Sequence, residues 1–323
     1  MSDAHAGHGS HGSTKAILAA MVANLGIALA KFVGFLLTSS AAMLAESVHS
    51  VADTTNQVLL LIGGKKARKP ADAEHPYGYG REQYVWAGLV SLLLFGMGGV
   101  FALYEGIHKV TQPSHEEGGF TAAIVILVAA VGLESWSLLT AVREARPMLD
   151  GRTWRQFIAG AKNPELPTVL LEDTGAVIGL LLALGGVVTA HVTGDTRWDG
   201  AGSIAIGALL CVIAAVLATE VKHLLVGETI SDADMDAISA AAATVPGVDY
   251  VGLVRGVHLS GEQVLVDVKV KFADHLTARD VASLTDDIER AIRDVVPTAG
   301  MLFVESWLDD GTGAPASARP GAR

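Results

Sequence analysis

The chain has 323 residues, half of them hydrophobic and only 18% charged, with a mean hydropathy of +0.42. Average soluble domains carry roughly 25% charged residues; the shortfall here lies in long blocks almost without charge, which excludes most water-soluble classes. The formal net charge is −11, and residues 226–323, with eight basic and sixteen acidic side chains, supply −8 of it. The composition therefore describes an integral membrane core followed by an acidic, water-soluble tail, and that sign speaks against a nucleic-acid partner, since phosphate binding needs basic residues.

The chain opens MSDAHAGHGSHGS, with His5, His8 and His11 three apart in a Gly/Ser tract. Residues 1–13 are expected to be a disordered tail, a better reading than weak metal capture. The tract lacks the basic-then-apolar order of a signal peptide, so the first apolar block is expected to be retained. Six blocks approach the ~20 apolar residues that a membrane helix needs, near 16–37, 41–64, 84–108, 120–141, 167–191 and 200–225. An even number places both ends on one side. Residues 65–81 hold five Lys/Arg and residues 143–162 another five, against Lys109 and Arg197 in the opposite loops. The positive-inside rule then puts both termini in the cytoplasm. The glycines at 96, 98, 99, 185 and 186 read as close-approach positions between helices. Cys211, the one cysteine, lies in an apolar run and allows no disulfide framework.

Beyond the last span, Ser231 caps an expected helix to about Thr244. Two strand-like runs, 250–259 and 263–272, flank Ser260-Gly261-Glu262 as a hairpin, with Val264, Val266, Val268 and Val270 alternating. Thr277 caps a second helix with Val281, Leu284, Ile288, Ile292 and Val295 on one face, and a last strand covers 301–307. The order αββαβ is that of a small α+β open-faced sandwich. The expected domains are thus a six-helix membrane domain at 14–226, an α+β domain at 227–310 and a disordered tail at 311–323.

The ionisable residues inside the spans point to function, because each costs ~2.5–3.5 kcal/mol to insert. His49 and Asp53 are one turn apart on the second span and present an imidazole and a carboxylate on one helix face. Glu172 and Asp173 follow on the fifth span. Two helices carrying N and O donors suit a tetrahedral Zn²⁺ site, although adjacent residues point ~100° apart. A hydrogen-bonded His–Asp couple gluing helices is the bland alternative, weakened by the second acidic pair. Glu46 lies near a span end, where an outer-headgroup position is as good a reading as a site residue. Lys31 either snorkels or pairs with a carboxylate, and Glu105 and Glu134 either line a proton path or merely pair. No phosphate loop, nucleophile elbow or Cys pair is present, so no enzymatic activity is expected.

The stretch Asn24…Lys31…Ser39-Ser40…Glu46-Ser47-Val48-His49-Ser50-Val51-Ala52-Asp53…Asn56-Gln57, with His75-Pro76-Tyr77-Gly78-Tyr79-Gly80-Arg81 after it, resembles the cation diffusion facilitator family. The resemblance implies six transmembrane helices, a ferredoxin-like cytoplasmic αββαβ domain, a homodimer, a cell-membrane location and a divalent cation, usually zinc, as substrate; no resident cofactor is implied. Carried over, His49 and Asp53 match one pair of the transport site and Asp173 the second carboxylate of the other. The family's helix-five His or Asp falls on Val169, leaving Glu172 as the substitute, and Asn163-Pro164-Glu165 with Leu171-Glu172-Asp173 resembles the branch that contains the mitochondrial zinc transporter of animals. Asp72 and His75 match two members of a secondary interfacial metal site, with Tyr79 where a third ligand would stand. In the tail, Lys269, Val304 and Ser306 occupy positions that would need to be ligands, and His258 and His275 are isolated, so no zinc pair is expected there. The implied mechanism is alternating access with metal/proton exchange, His49 carrying the proton. A carboxylate-rich site also admits Mn²⁺, Fe²⁺ or Co²⁺. A metal-binding scaffold or sensor without flux, and a passive channel, are the readings from other classes.

Overall fold

The computed structural model describes residues 10–113 and 120–307, with side chains from residue 24 onward. His5, His8 and residues 311–323 lie outside them, as does the side chain of His11. The chain divides into two units, Met1–Lys65 with Gln83–Lys222, and Lys66–Glu82 with His223–Arg323.

The first unit is helical: α1 (Ser10–Thr38), α2 (Ala41–Ala67), α3 (Glu82–Leu93) continuing through a π-helical stretch (Leu94–Val100) into α4 (Phe101–Thr111), α5 (Phe120–Ala145), a short α6 (Trp154–Gly160), α7 (Glu165–Thr193) and α8 (Arg197–Val226). Four helices among the described residues are long and apolar enough to cross a membrane: Glu82–Thr111, Phe120–Leu149, Glu165–Thr193 and Arg197–Val226. Asn24–Thr38 is apolar but shorter. Helix α2 falls outside that group because its middle reads Glu46, His49, Asp53, Thr54, Thr55, Asn56, Gln57. Most of these helices run past the apolar blocks that mark them, since charged and polar residues at their ends continue the backbone ladder.

The core of this unit joins Met43, Leu94, Leu127, Leu180, Ile206, Leu210 and Leu217. Glycine permits its tightest contacts. A Cβ at Gly99 would lie 2.5 Å from Cys211 Sγ and 3.1 Å from the Cys211 backbone nitrogen, so the π-helical stretch and α8 meet almost backbone to backbone. Gly98 and Gly186 leave less slack than usual, with the nearest atom 3.1 Å from an added Cβ, whereas Gly96 and Gly185 face open space; close approach explains only some of these glycines. The π geometry itself is visible where the Phe101 N–H reaches back to Gly96 O.

The second unit contains α9 (Asp232–Ala243), β1 (Val248–His258), β2 (Val264–Phe272), α10 (Ala278–Val295) and β3 (Ala299–Ser306). The sheet order is β1-β2-β3, antiparallel between β1 and β2 and parallel between β2 and β3. Ser231 and Thr277 cap the helices as their hydroxyls accept from the Asp234 and Asp280 N–H groups. Val264, Val266, Val268 and Val270 are all buried with Ile238, Ile288 and Ile292, while Asp267 and Lys269 take the other face, the period-2 pattern of a half-covered sheet. Leu259 N–H and Ser260 N–H both donate to Gln263 O and close the hairpin. One core assignment is corrected: Val295 is 49% exposed, and Val296 is buried in its place. The helix ends at Val295, so the 3.6-residue period stops applying and the next residue turns inward.

Candidate metal centre

Helix α2 carries His49 completely buried, with its Nδ1 3.4 Å from Asp53 Oδ1 one turn later. The approach makes no hydrogen bond: both His49 nitrogens and Asp53 Oδ1 are buried without a hydrogen-bond partner. An imidazole with two unused nitrogens is unusual in a buried place, where polar groups are normally satisfied.

Helix α7 supplies the other pair, and the ~100° between neighbours sends them to different supports. Glu172 Oε1 accepts from Asn56 Nδ2 of α2 at 2.7 Å. Asp173 Oδ2 accepts from Ser137 Oγ of α5 at 2.8 Å. Both carboxylates still line one small space of about 10 Å³, together with Asp53, Ser50 and Gln57 of α2, Asn24 of α1 and Glu134 of α5; that is room for about one water-sized sphere. Val169, four residues before Asp173, forms an apolar part of its wall. The structure thus brings Asp53, Glu172 and Asp173 to one cavity, with His49 behind Asp53. Among the described residues no three His, Cys, Asp or Glu side chains converge closely enough to hold a metal ion. The donors surround a space without meeting at a point.

Glu46 faces inward, not toward headgroups. It is fully buried, with Oε2 3.1 Å from Lys31 Nζ, and Lys31, equally buried, also donates to Ser50 Oγ at 2.7 Å. Gly179 of α7 leaves the room for this carboxylate, since a Cβ there would lie 2.5 Å from Glu46 Oε1. Lys31 therefore pairs and does not snorkel. As hydrogen-bond partners of the α7 carboxylates, Asn56 and Ser137 escaped the sequence reading, which quoted Asn24 and Asn56 only within the family-like stretch. Asn56 lies three residues after Asp53, on the same face, and Ser137 three after Glu134 on an apolar helix, which is the signal that could have found them.

In the second unit, Asp72 is saturated. Its Oδ2 accepts from Lys69 Nζ at 2.8 Å and from Tyr79 Oη at 2.8 Å, and its Oδ1 from the backbone N–H of Glu74 and of His75 at 3.1 and 2.9 Å. His75 Nδ1 stays 3.8 Å away and its ring packs on Tyr79. Gly80 lets this loop lie against the β1–β2 hairpin, since a Cβ would come within 2.9 Å of Leu259 O. The Lys69 and Tyr79 hydrogen bonds, followed by that of the His75 N–H, hold the Asp72 carboxyl well below the usual carboxylate range. A group with a depressed folded pKa stabilises above its unfolded value of ~3.9 and loses that effect as pH falls through the folded value. Hydrogen-exchange protection of the Glu74 and His75 amides is therefore expected to be level between pH 7 and 5 and to fail only in stronger acid. In Asp72→Ala it should be missing at every pH; retained protection there would show that the loop is held by something else. The tail's Lys269 pairs with Glu305 at 3.1 Å.

A family model described as the cation efflux transmembrane domain matches residues 17–226, and one described as the cation efflux protein cytoplasmic domain matches residues 230–304. The chain is similar to the "Proton-coupled zinc antiporter SLC30A9, mitochondrial" of Mus musculus, 28% identical over 277 residues that cover 85% of this chain and 49% of that protein. It is 33% identical to "Metal tolerance protein C4" of Arabidopsis thaliana over 228 residues, 70% of this chain and 50% of that one. "Magnetosome protein MamB" of Magnetospirillum gryphiswaldense is 24% identical over 283 residues, 87% and 89% of the two chains. The chain spans about half the length of the first two relatives.

Proposed function

Since the chain belongs to the cation diffusion facilitator family, we propose that it carries a divalent metal cation, Zn²⁺ foremost, across a membrane in exchange for protons. The observation that carries this reading is the gathering of Asp53 on α2 with Glu172 and Asp173 on α7 around one small polar space in the helical unit, with His49 against Asp53. Zinc takes nitrogen and oxygen donors of this kind. Binding requires deprotonated donors, so metal loading releases protons and the two flows are linked. Imidazole is the side chain whose protonation usually changes near neutral pH, and His49 is the proton carrier in this scheme. Donors that ring a space without meeting suit alternating access, in which a small movement of α2 against α7 closes the shell on the ion and reopens it on the other side. The similarity to proteins named as a proton-coupled zinc antiporter supports cation and coupling alike.

The same reading takes six transmembrane helices, with α1 and the polar α2 joining the four apolar ones, both termini cytoplasmic by the loop charges, and a homodimer through the C-terminal domain. The cell membrane is the proposed location and the lipid bilayer the surrounding partner. Glu172 replaces the missing donor at Val169; Asp72 and His75 are the weaker site, given the saturation of Asp72. A second reading, an Mn²⁺, Fe²⁺ or Co²⁺ carrier, draws on the excess of carboxylates over imidazole at the cavity, which favours harder ions.

Vesicles containing the purified full chain and a zinc-sensitive dye test the proposal. Uptake is expected to require a proton gradient and to reverse when the gradient is reversed. Flux indifferent to the gradient would make the protein a channel, binding without flux would make it a scaffold or sensor, and competition by Mn²⁺ at lower concentration than Zn²⁺ would favour the second reading.

A further inference from the structure

Helix α5 carries one charge in the apolar body that follows Phe120, and that charge is Glu134. Its side chain is 12% exposed, lines the same cavity as Asp53, Glu172 and Asp173, and lies one turn before Ser137, the donor to Asp173. Its nearest cation is Lys31, whose Nζ stands 3.9 Å from Glu134 Oε1, longer than a hydrogen bond. Lys31 does not need it. The ammonium already has Glu46 at 3.1 Å and the Ser50 hydroxyl at 2.7 Å, which satisfies its charge one for one. Glu134 is then a surplus, largely covered carboxylate, and charges taken out of water persist where something pairs with them. The fully buried His49, with both nitrogens unpartnered, stands against Asp53, which lines that space, and an imidazole left so beside it points to a ligand.

We propose that Glu134 is a fifth donor to the transported cation, exchanged between the Lys31 ammonium and the divalent ion, and that it adds an oxygen from α5 to the donors of α2 and α7. The proposal rests on the transport reading of the α2–α7 site. In the cation's absence the fixed ammonium of Lys31 steadies Glu134. On loading, the carboxylate turns to the doubly charged ion, and Lys31 stays with Glu46. Lys31 is thus a tethered competitor that sets how tightly the divalent ion is held, and Glu134 couples α5 to the movement of α2 and α7.

The test is Zn²⁺ affinity of the purified full-length protein, measured by competition with a chromophoric chelator, for Glu134→Gln, Asp53→Asn and the neutral pair Lys31→Gln/Glu46→Gln. Glu134→Gln is expected to weaken binding about tenfold or more, as loss of a metal-site partner does. The neutral pair removes one charge of each sign, so the potential at the site changes little while Glu134 is freed; binding should tighten, and the tightening should vanish when Glu134→Gln is added. Parental affinity in Glu134→Gln alongside weakened Asp53→Asn would overturn the role of Glu134 and leave the transport site standing. Parental affinity in both would overturn the site itself and this proposal with it. Should Glu134→Gln not fold, an unchanged or weaker affinity in the neutral pair overturns the exchange.

Discussion

Asp53→Asn is expected to stop metal uptake, with initial rates in reconstituted vesicles reduced about 100-fold or more, beyond the roughly 10–100-fold that loss of an outer partner costs. The substitution keeps the shape and removes the charge. Asp53 is the only carboxylate of α2 on the cavity wall, and its Oδ1 is already buried without a hydrogen-bond partner, so an amide there neither relieves a contact nor supplies an anion. His49 alone would then represent α2 at the cation. Asn56→Ala provides the graded comparison: it takes away the 2.7 Å hydrogen bond that orients Glu172 and leaves every proposed donor in place. Its effect should be the smaller one and should appear as a higher half-saturating metal concentration. Alanine at Glu172 and at Asp173 separates the two α7 carboxylates. If Glu172→Ala keeps parental uptake and zinc affinity while Asp173→Ala loses both, the four-donor site is wrong and α7 contributes one ligand.

The parts of the molecule written in local pattern were legible from sequence. Alternating valines at 264–270 gave the buried face of β2, and Ser231 and Thr277 marked the helix starts, because a cap and a strand period depend on neighbours a few residues away. Insertion cost likewise singled out the ionisable residues of the apolar blocks without any structure. What the sequence withheld was pairing across helices. Glu46 lies near the start of α2 and read as well facing headgroups as facing inward; its partner Lys31 is fifteen residues away and its space is left by Gly179 on α7. The direction of Glu172 toward Asn56, and of Asp173 toward Ser137, depends on the rotation of α7 against two different helices, and hydrophobic periodicity reports a face without reporting who stands opposite. Helix α2 shows the same limit from the other side: its polar residues lower its hydropathy, yet His49, Ser50 and Asn56 among them are buried by neighbouring helices.

The strongest effect on stability is expected at Asp199, a residue with no metal to hold. The turn between α1 and α2 places Ser39 at φ +53 and starts α2 in a buried position, with Ala41, Ala42 and Met43 out of contact with water. The first N–H groups of a helix lack intrahelical acceptors, and here the acceptors come from another helix. Asp199, fully buried in the first turn of α8, accepts from Ala41 N–H at 2.6 Å, from Ala42 N–H at 3.4 Å and from the Ser40 hydroxyl at 2.5 Å, while Ser40 Oγ itself accepts from Met43 N–H at 3.2 Å. Lys109 Nζ donates to Ser39 O at 2.8 Å and holds the same turn from α4. Asp199→Ala strands two backbone donors and a hydroxyl where water does not replace the lost oxygens. At about 1–3 kcal/mol for each buried unsatisfied group, with part recovered by relaxation, the cost is about 3 kcal/mol. For a domain of this size that lowers the thermal midpoint by roughly 10 °C in detergent. Asp199→Asn keeps one acceptor oxygen and should lose clearly less. The consequence for transport follows from geometry: Asp53 lies twelve residues along α2 from Ala41, about 18 Å at 1.5 Å per residue, so a frayed start shifts the donors without touching them. Below its midpoint Asp199→Ala should therefore need more metal to reach half-maximal uptake and still run at a measurable rate, where Asp53→Asn does not. A midpoint equal to that of the parent would show that α2 is anchored elsewhere, and a complete loss of uptake in folded protein would place Asp199 on the path of the ion instead of at the hinge that aims it.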